Sequence, residues 1–308
     1  MSPSTIRNKI SQRNQLFSQV RGFFKARDVL EVDTALVREF TVTDPYMSAF
    51  SAVSTTGKLQ GYLQTSPEYA MKGLLSDGSG DIFQLSKMFR AEEQGPIHLS
   101  EFSLLEWYRV GFDHNQLIQE VCDFIQHIVG QRKVTILNYK DCFQKLLCFD
   151  PHDIELNDLA IKARFFLGEL PENLLRDNYL TLLFSEKIEV SFDPRVITVV
   201  TNYPASQASL AKTQINDGLE TADRFEVYLN SMELANGFNE LTDAQQQLKR
   251  FEEDNRSRKK LAYPEIEIDQ MLIHSLNKGL PDCAGVALGI DRLLMIKLGE
   301  SDIKQVVL

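Results

Sequence analysis

The chain has 308 residues, 43% hydrophobic and 25% charged, the make-up of an ordinary globular protein with ample core. Its formal net charge of −10 argues against nucleic acid as a partner, because phosphate binding relies on clustered Lys and Arg. The four cysteines (Cys122, Cys142, Cys148, Cys283) form no C-x-x-C pair, MSPSTIRNKI lacks an apolar signal core, and no apolar run reaches the roughly 18 residues of a membrane span, so reduced thiols and a cytoplasmic setting without membrane contact are expected.

In chain order, Ile6, Ile10, Phe17, Val20 and Phe24 follow a helical period, and VLEVDTALV after them is rich in β-branched residues and predicts a strand. TSPEYAMKGLLSDG reads as a short helix with Pro67 at its first position and Gly78 as its stop. IFQLSKMFRAEE and HLSEFSLLEWYRV read as two strands joined around Gly95-Pro96. Asp113 is placed to cap an amphipathic helix running through Leu117, Val121, Phe124, Ile125 and Ile128. Residues 138–190 are mostly helical in pattern and carry no motif, so they are read as an insertion within one domain spanning 1–308. VITVVTNYP predicts a buried strand, RFEVYLNSMELANGFNEL a hairpin, residues 243–261 a polar helix, and GVALGIDRLLMIKLG a strand, glycine turn and helix. Strands of mostly antiparallel type among helices predict an α+β fold. The basic end of KRFEEDNRSRKK (249–260) is read as a solvated helix face.

Three clusters carry chemistry. In FRAEEQGPIHLSEFSLLEWYRVG (89–111), Arg90 can clamp a carboxylate or phosphate through parallel hydrogen bonds. Glu92, two residues on and so on the same strand face, can accept from an exocyclic amine such as that of adenine. Phe102 offers a face for a base, His98 can reach outer phosphates, and Glu106 beside Tyr108 makes a receptor for an ammonium group. Alone, this stretch reads equally well as a surface hairpin with alternating charges. In RFEVYLNSMELANGFNEL, Glu226 and Glu233 lie seven apart on strands that are adjacent if the chain turns at Asn230-Ser231, and paired carboxylates there suit Mg²⁺ beside a triphosphate, although an acidic loop would read the same. Asn236 and Glu240 follow, with Gly237 permitting close backbone approach. In GVALGIDRLLMIKLG, Asp291 suits a helix N-terminus, whereas Arg292 in the same first turn opposes the helix dipole and so points to an external anion. Gly285 and Ala287 are small where something must come close.

In this order the clusters resemble motifs of the class II aminoacyl-tRNA synthetases. Phe89-Arg90-x-Glu92 with Glu101-Phe102 resembles motif 2, Gly289-Ile290-Asp291-Arg292-Leu293 resembles motif 3, and the first helix with VLEVDTALV resembles motif 1, the dimer-forming element. TSPE (65–68), LEWY (105–108) and ELANGFNEL (233–241) are similar to the lysine-specific branch. The start of motif 1 almost at residue 1, without the N-terminal OB-fold domain that reads the anticodon, resembles a truncated paralogue group that attaches (R)-β-lysine to a lysine side chain of elongation factor P. Ala287, where synthetases of this branch have Gly, and PASQASLA and LPDCAGVALGIDRL resemble the same group.

That resemblance implies a homodimeric ATP-dependent ligase. Arg90 would hold the substrate carboxylate and α-phosphate, Glu92 the adenine amine, and Phe102 the base. His98 and Arg292 would contact the outer phosphates, with Arg90 and Arg292 as the catalytic pair, and Glu226 and Glu233 would bind Mg²⁺. Ser66, Glu68, Glu106, Tyr108, Asn236 and Glu240 would line the diamine pocket, with Ala287 on its floor. The chain departs from the pattern at Ala35, where motif 1 normally ends in Pro, and at Gly95-Pro96-Ile97, where relatives carry a loop Arg. Two other readings are a relative that passes a small activated acid to a small amine, and a non-catalytic regulator of a synthetase. Glu106, Tyr108 and Glu240 argue against the first, and retention of Arg90 and Arg292 against the second.

Overall fold

A computed structural model describes residues 3–172, 174–216 and 218–307. In chain order the elements are α1 (Pro3–Lys25), β1 (Leu30–Glu31), β2 (Val37–Arg38), β3 (Ser51–Val53), β4 (Leu59–Leu63), α2 (Glu68–Ser76), β5 (Ile82–Phe89), β6 (Glu101–Val110), α3 (His114–Val129), β7 (Val134–Asn138), α4 (Tyr139–Leu147), α5 (Leu156–Leu167), α6 (Arg176–Leu183), β8 (Ile197–Pro204), β9 (Thr213–Asn216), β10 (Leu219–Tyr228), β11 (Glu233–Asn239), α7 (Ala244–Lys260), α8 (Gln270–Gly279), β12 (Cys283–Gly289) and α9 (Ile290–Leu298).

The main sheet runs β1-β5-β6-β12-β11-β10-β8-β7, with β9 added beside β10. Only β1 with β5 and β7 with β8 pair in parallel among the described strands; the rest are antiparallel, so the class is α+β. Strand alternation sorts this sheet into two faces. Phe83, Leu105, Trp107, Val286, Leu288, Phe225 and Val227 point one way, into a core shared with α1, α3 and α9. On α3 the buried residues Leu117, Val121, Phe124, Ile125 and Ile128 follow the helical stripe, each contributing roughly 1.5–3 kcal/mol by burial. Its start is fixed by a capping box between Asp113 and Gln116. With one face closed by helices, the opposite face of the central strands is left for polar work.

Residues 139–191 contribute α4, α5, α6 and two further helical turns. Tyr139, Phe143, Tyr179, Leu183 and Phe184 form a second core, which packs against Val200 and Tyr203 of β8 and Tyr228 of β10. A third core joins α2, α7 and α8 through Met71, Leu75, Phe251, Leu272 and Leu276.

Local departures from the sequence reading have simple causes. VLEVDTALV is not one strand: β1 pairs with β5 for two residues, then the Thr34 N–H donates to the Gln84 side chain and the chain crosses to the separate three-stranded sheet β2-β4-β3. Pro67 precedes α2 rather than opening it. The end of α7 is not a purely solvated face, because Arg258 is buried and donates to the carbonyls of Pro264 and Asp44.

Candidate active site

Strand register assembles the site. A single row crosses the open face: Gln84 of β5, Glu106 of β6, Ala287 of β12, Asn236 of β11 and Glu226 of β10 are consecutive cross-strand partners. The neighbouring row carries Tyr108, Gly285, Phe238 and Arg224. Gly285 is required here, because a Cβ would run into the Tyr108 ring and the Glu240 carboxylate.

At the β6 end lies an acidic pocket. Glu106, Tyr108 and Glu240 are buried, and Glu68 enters from the first turn of α2 with Ser66 just before it. Tyr108 Oη donates to Glu106 Oε1 at 2.7 Å, while Glu106 Oε2 is buried without a hydrogen-bond partner among the described residues. Burial, then the Glu68 charge, holds the Glu106 carboxyl well above the usual carboxylate range. Burial pushes Glu240 up to about 7 against the pull of Lys72. Lys72 is 1% exposed and lies between two of these acids, its Nζ 2.7 Å from Glu68 Oε1 and 2.6 Å from Glu240 Oε2. Ala287 lies between Glu106 and Asn236 in the cross-strand row.

Beside the pocket three basic side chains converge. The Arg90 guanidinium sits 5.1 Å from the Phe102 ring, with Nε 3.4 Å from the Thr65 carbonyl. Arg292 donates from Nε to the Ile97 carbonyl and from Nη1 to the Glu233 carbonyl at 2.8 Å, so the motif 2 loop and the start of β11 both hold it. Burial, then the nearby Arg292 charge, lowers the His98 pKa, with Arg90 adding to the effect. Glu93, 3.7 Å from Arg90 Nη1, offsets only part of this gathered positive charge, and the remainder suits an anion. The loop itself is braced by the C-terminal segment, where the Ile303 N–H donates to the Pro96 carbonyl at 2.7 Å.

Glu92 departs from its sequence reading. The strand ends at Phe89, and Glu92 is exposed in a turn with φ of 67°, so strand alternation does not set its direction relative to Arg90. The cause is the loop entry, where the Arg90 N–H donates to the Ser100 carbonyl and the Ala91 N–H to the Ser48 carbonyl. Asp291 also does more than suit a helix dipole: it is 1% exposed, pairs with Arg13 Nη1 at 2.6 Å and accepts from the Ser103 N–H at 2.7 Å.

At the β10 end, Asn230 and Ser231 both take positive φ in the tight turn that joins β10 to β11. Glu233 thereby pairs with Tyr228, two residues along from Glu226. Glu226 accepts from Tyr203 Oη at 2.7 Å and from Tyr228 Oη, and pairs with Arg224. Burial, then Glu226, pushes Glu233 up to about 7; burial, then Glu226, does the same to Glu189 at the end of the helical segment. Repelling, partly desolvated carboxylates of this kind suit a cation. Among the described residues no group of three or more His, Cys, Asp or Glu forms a metal cage.

Lys72 and Arg224 are the members that sequence reasoning missed. Glu68-x-x-x-Lys72 has the spacing of a solvent-facing helix pair, and nothing in the sequence says that this pair is buried. Arg224 was legible only as part of Arg224-Phe225-Glu226, where alternation puts it on the face of Glu226.

The family model for class II tRNA synthetases (D, K and N) matches residues 1–308. The chain is 43% identical over 309 residues to the elongation factor P--(R)-beta-lysine ligase of Histophilus somni (strain 2336), covering 99% of this chain and 95% of that protein. It is 44% identical over 310 residues to the protein of the same name from Vibrio vulnificus (strain YJ016), covering 99% and 96%. With the namesake from Pasteurella multocida (strain Pm70), identity is 42% over 309 residues, covering 99% and 95%.

Proposed function

We propose that this chain, which belongs to the class II tRNA synthetases of the D, K and N type, is an ATP-dependent ligase that activates (R)-β-lysine as its adenylate and passes it to a lysine side chain of elongation factor P. The observation that carries the reading is the meeting of a buried acidic cluster (Glu68, Glu106, Glu240) with a convergent basic group (Arg90, His98, Arg292), Arg90 reaching the Thr65 carbonyl just ahead of Glu68. An amino acid with two amines and one carboxylate is the complement of that arrangement.

The substrate amines occupy the acidic pocket, lined also by Ser66, Tyr108 and Asn236, and its carboxylate turns to Arg90. That carboxylate attacks the α-phosphorus of ATP and pyrophosphate leaves, while the Arg90 guanidinium offsets the charge that grows on phosphorus. His98 and Arg292 hold the outer phosphates, Phe102 stacks on the adenine, and Glu92 receives its amine. Mg²⁺, held by Glu226 and Glu233, would supply further screening of phosphate charge. The acceptor lysine of elongation factor P then attacks the acyl carbon and AMP leaves. Ala287 narrows the floor by one methyl, a difference of roughly 1–3 kcal/mol between closely related acids. The working unit is a homodimer in the cytoplasm that does not take tRNA as its acceptor. Among the described residues no helix is long and apolar enough to cross a membrane.

ATP–pyrophosphate exchange with α-lysine, (R)-β-lysine, (S)-β-lysine and aspartate tests this. Exchange should be strongest with (R)-β-lysine, Arg292→Ala should lower it by about 10²–10³, and elongation factor P should gain one β-lysyl group by mass. Exchange with none of these acids, or best with aspartate, overturns the reading.

A further inference from the structure

The acidic pocket holds more carboxylates than its proposed ligand has amines. Glu68, Glu106 and Glu240 are three, while a β-lysine brings two ammonium groups and its carboxylate is met by Arg90. The surplus is matched from inside the fold. Lys72 rises from α2 one turn after Glu68 and reaches Glu68 Oε1 at 2.7 Å and Glu240 Oε2 at 2.6 Å, with 1% of its side chain exposed. Glu106 stands apart from this pair, with Oε1 taken by Tyr108 and Oε2 buried and unpartnered among the described residues.

We infer that Lys72 is a built-in cation of the diamine pocket, a positioning residue that balances and aims the Glu68 and Glu240 carboxylates, leaving Glu106 to take an incoming ammonium. The inference rests on the function proposed above and deepens it.

Burial alone would strip the proton from Lys72, but Glu240 and Glu68 outweigh it and hold its pKa above the ordinary lysine value. The charge is therefore constant at any working pH. A proton could balance one of these acids equally well, yet it would come and go near neutrality, because Glu240 is pushed to about 7 even with Lys72 beside it. The groups facing the Lys72–Glu240 pair are Glu68 from α2, Glu106 and Tyr108 from β6, Lys212 ahead of β9, and Cys283 of β12. Burial keeps Tyr108 and Cys283 protonated, and Lys212 meets Asp282 at 2.6 Å. Glu106 and Glu240 are thus the acids left to exchange protons when a diamine enters, and the Lys72 charge reduces the share of that exchange that falls on Glu240.

Calorimetric binding of (R)-β-lysine in buffers of different ionisation heat counts the protons released per ligand bound. At neutral pH, where Glu240 held to about 7 is already about half protonated in the wild type, the full-length Lys72→Met protein should release about half a proton more, with affinity weakened by about tenfold or more. Lys72→Arg keeps the charge and should release the wild-type number, even where affinity falls. A merely structural role would change affinity or thermal stability and leave the count alone. An unchanged count in Lys72→Met overturns the inference, and so does the same excess in Lys72→Arg, which can be read even if the Met variant does not fold. If the wild type binds neither (R)-β-lysine nor α-lysine, the functional reading falls and takes this inference with it. If it binds and only the counts disagree, the functional reading stands alone.

Discussion

Gly285 shows how closely single positions are constrained. Its backbone lies against the Tyr108 ring and the Glu240 carboxylate with no room for a methyl. Gly285→Ala should displace one of them, costing about 1–3 kcal/mol as overpacking does. The KM for the diamine acid in exchange assays should rise while the KM for ATP stays near wild type, because the phosphate-facing residues are on other elements. An equal rise in both would mean that the sheet itself had shifted. The sequence marks such positions unevenly. Arg292 stands out because a positive charge in the first turn of a helix works against the dipole, and it proves to be held by two backbone carbonyls beside the basic cluster. Lys72 does not stand out, because its i, i+4 pairing with Glu68 looks the same whether water or protein surrounds it.

Elements with a strong period were legible: the amphipathic stripe and cap of α3, the buried run of β8, the turn at Asn230-Ser231 and the helix from Asp243 all follow local chemistry. What failed were boundaries set by distant partners. The break in VLEVDTALV comes from pairing with β5, and the end of β5 at Phe89 comes from contacts to Ser48 and Ser100, neither of which a local window contains. The tie between α1 and α9 is likewise non-local. Arg13 pairs with Asp291 at 2.6 Å and donates to Ser103 Oγ at 2.5 Å, so one ion pair joins the first helix, β6 and the motif 3 helix. Asp291→Ala leaves a buried guanidinium unpaired and should cost about 3–5 kcal/mol in denaturant unfolding. Adding Arg13→Met should return much of that loss, since the uncompensated charge goes with it. Failure of the double variant to recover would mean that the Ser103 contact, not the charge, dominates.

For the molecule as a whole, the site opposes the stability of the ligand-free fold. Glu189, Glu233 and Glu240 are held to about 7, above the ordinary carboxylate value of about 4.3. The folded chain therefore keeps protons that the unfolded chain gives up, and these three groups make stability fall as pH rises from about 4.5 to about 7. Glu233→Gln removes one such group, so its melting temperature relative to wild type should be higher at about pH 8 than at about pH 5. A difference independent of pH would contradict the assignment. The row from Glu106 through Ala287 and Asn236 to Glu226 spans three strand spacings, about 14 Å in all, and hydrogen-bonded register fixes each step. The sheet is in effect a ruler, with the amine receptor at one mark and the phosphate-side carboxylate at another. Exchanging the side chain at one mark, such as Ala287, can retune which acid is accepted while the scale stays put. A slip of β12 by one residue would instead turn Ala287 to the helix-covered face and break the register that ties the two ends of the measurement together.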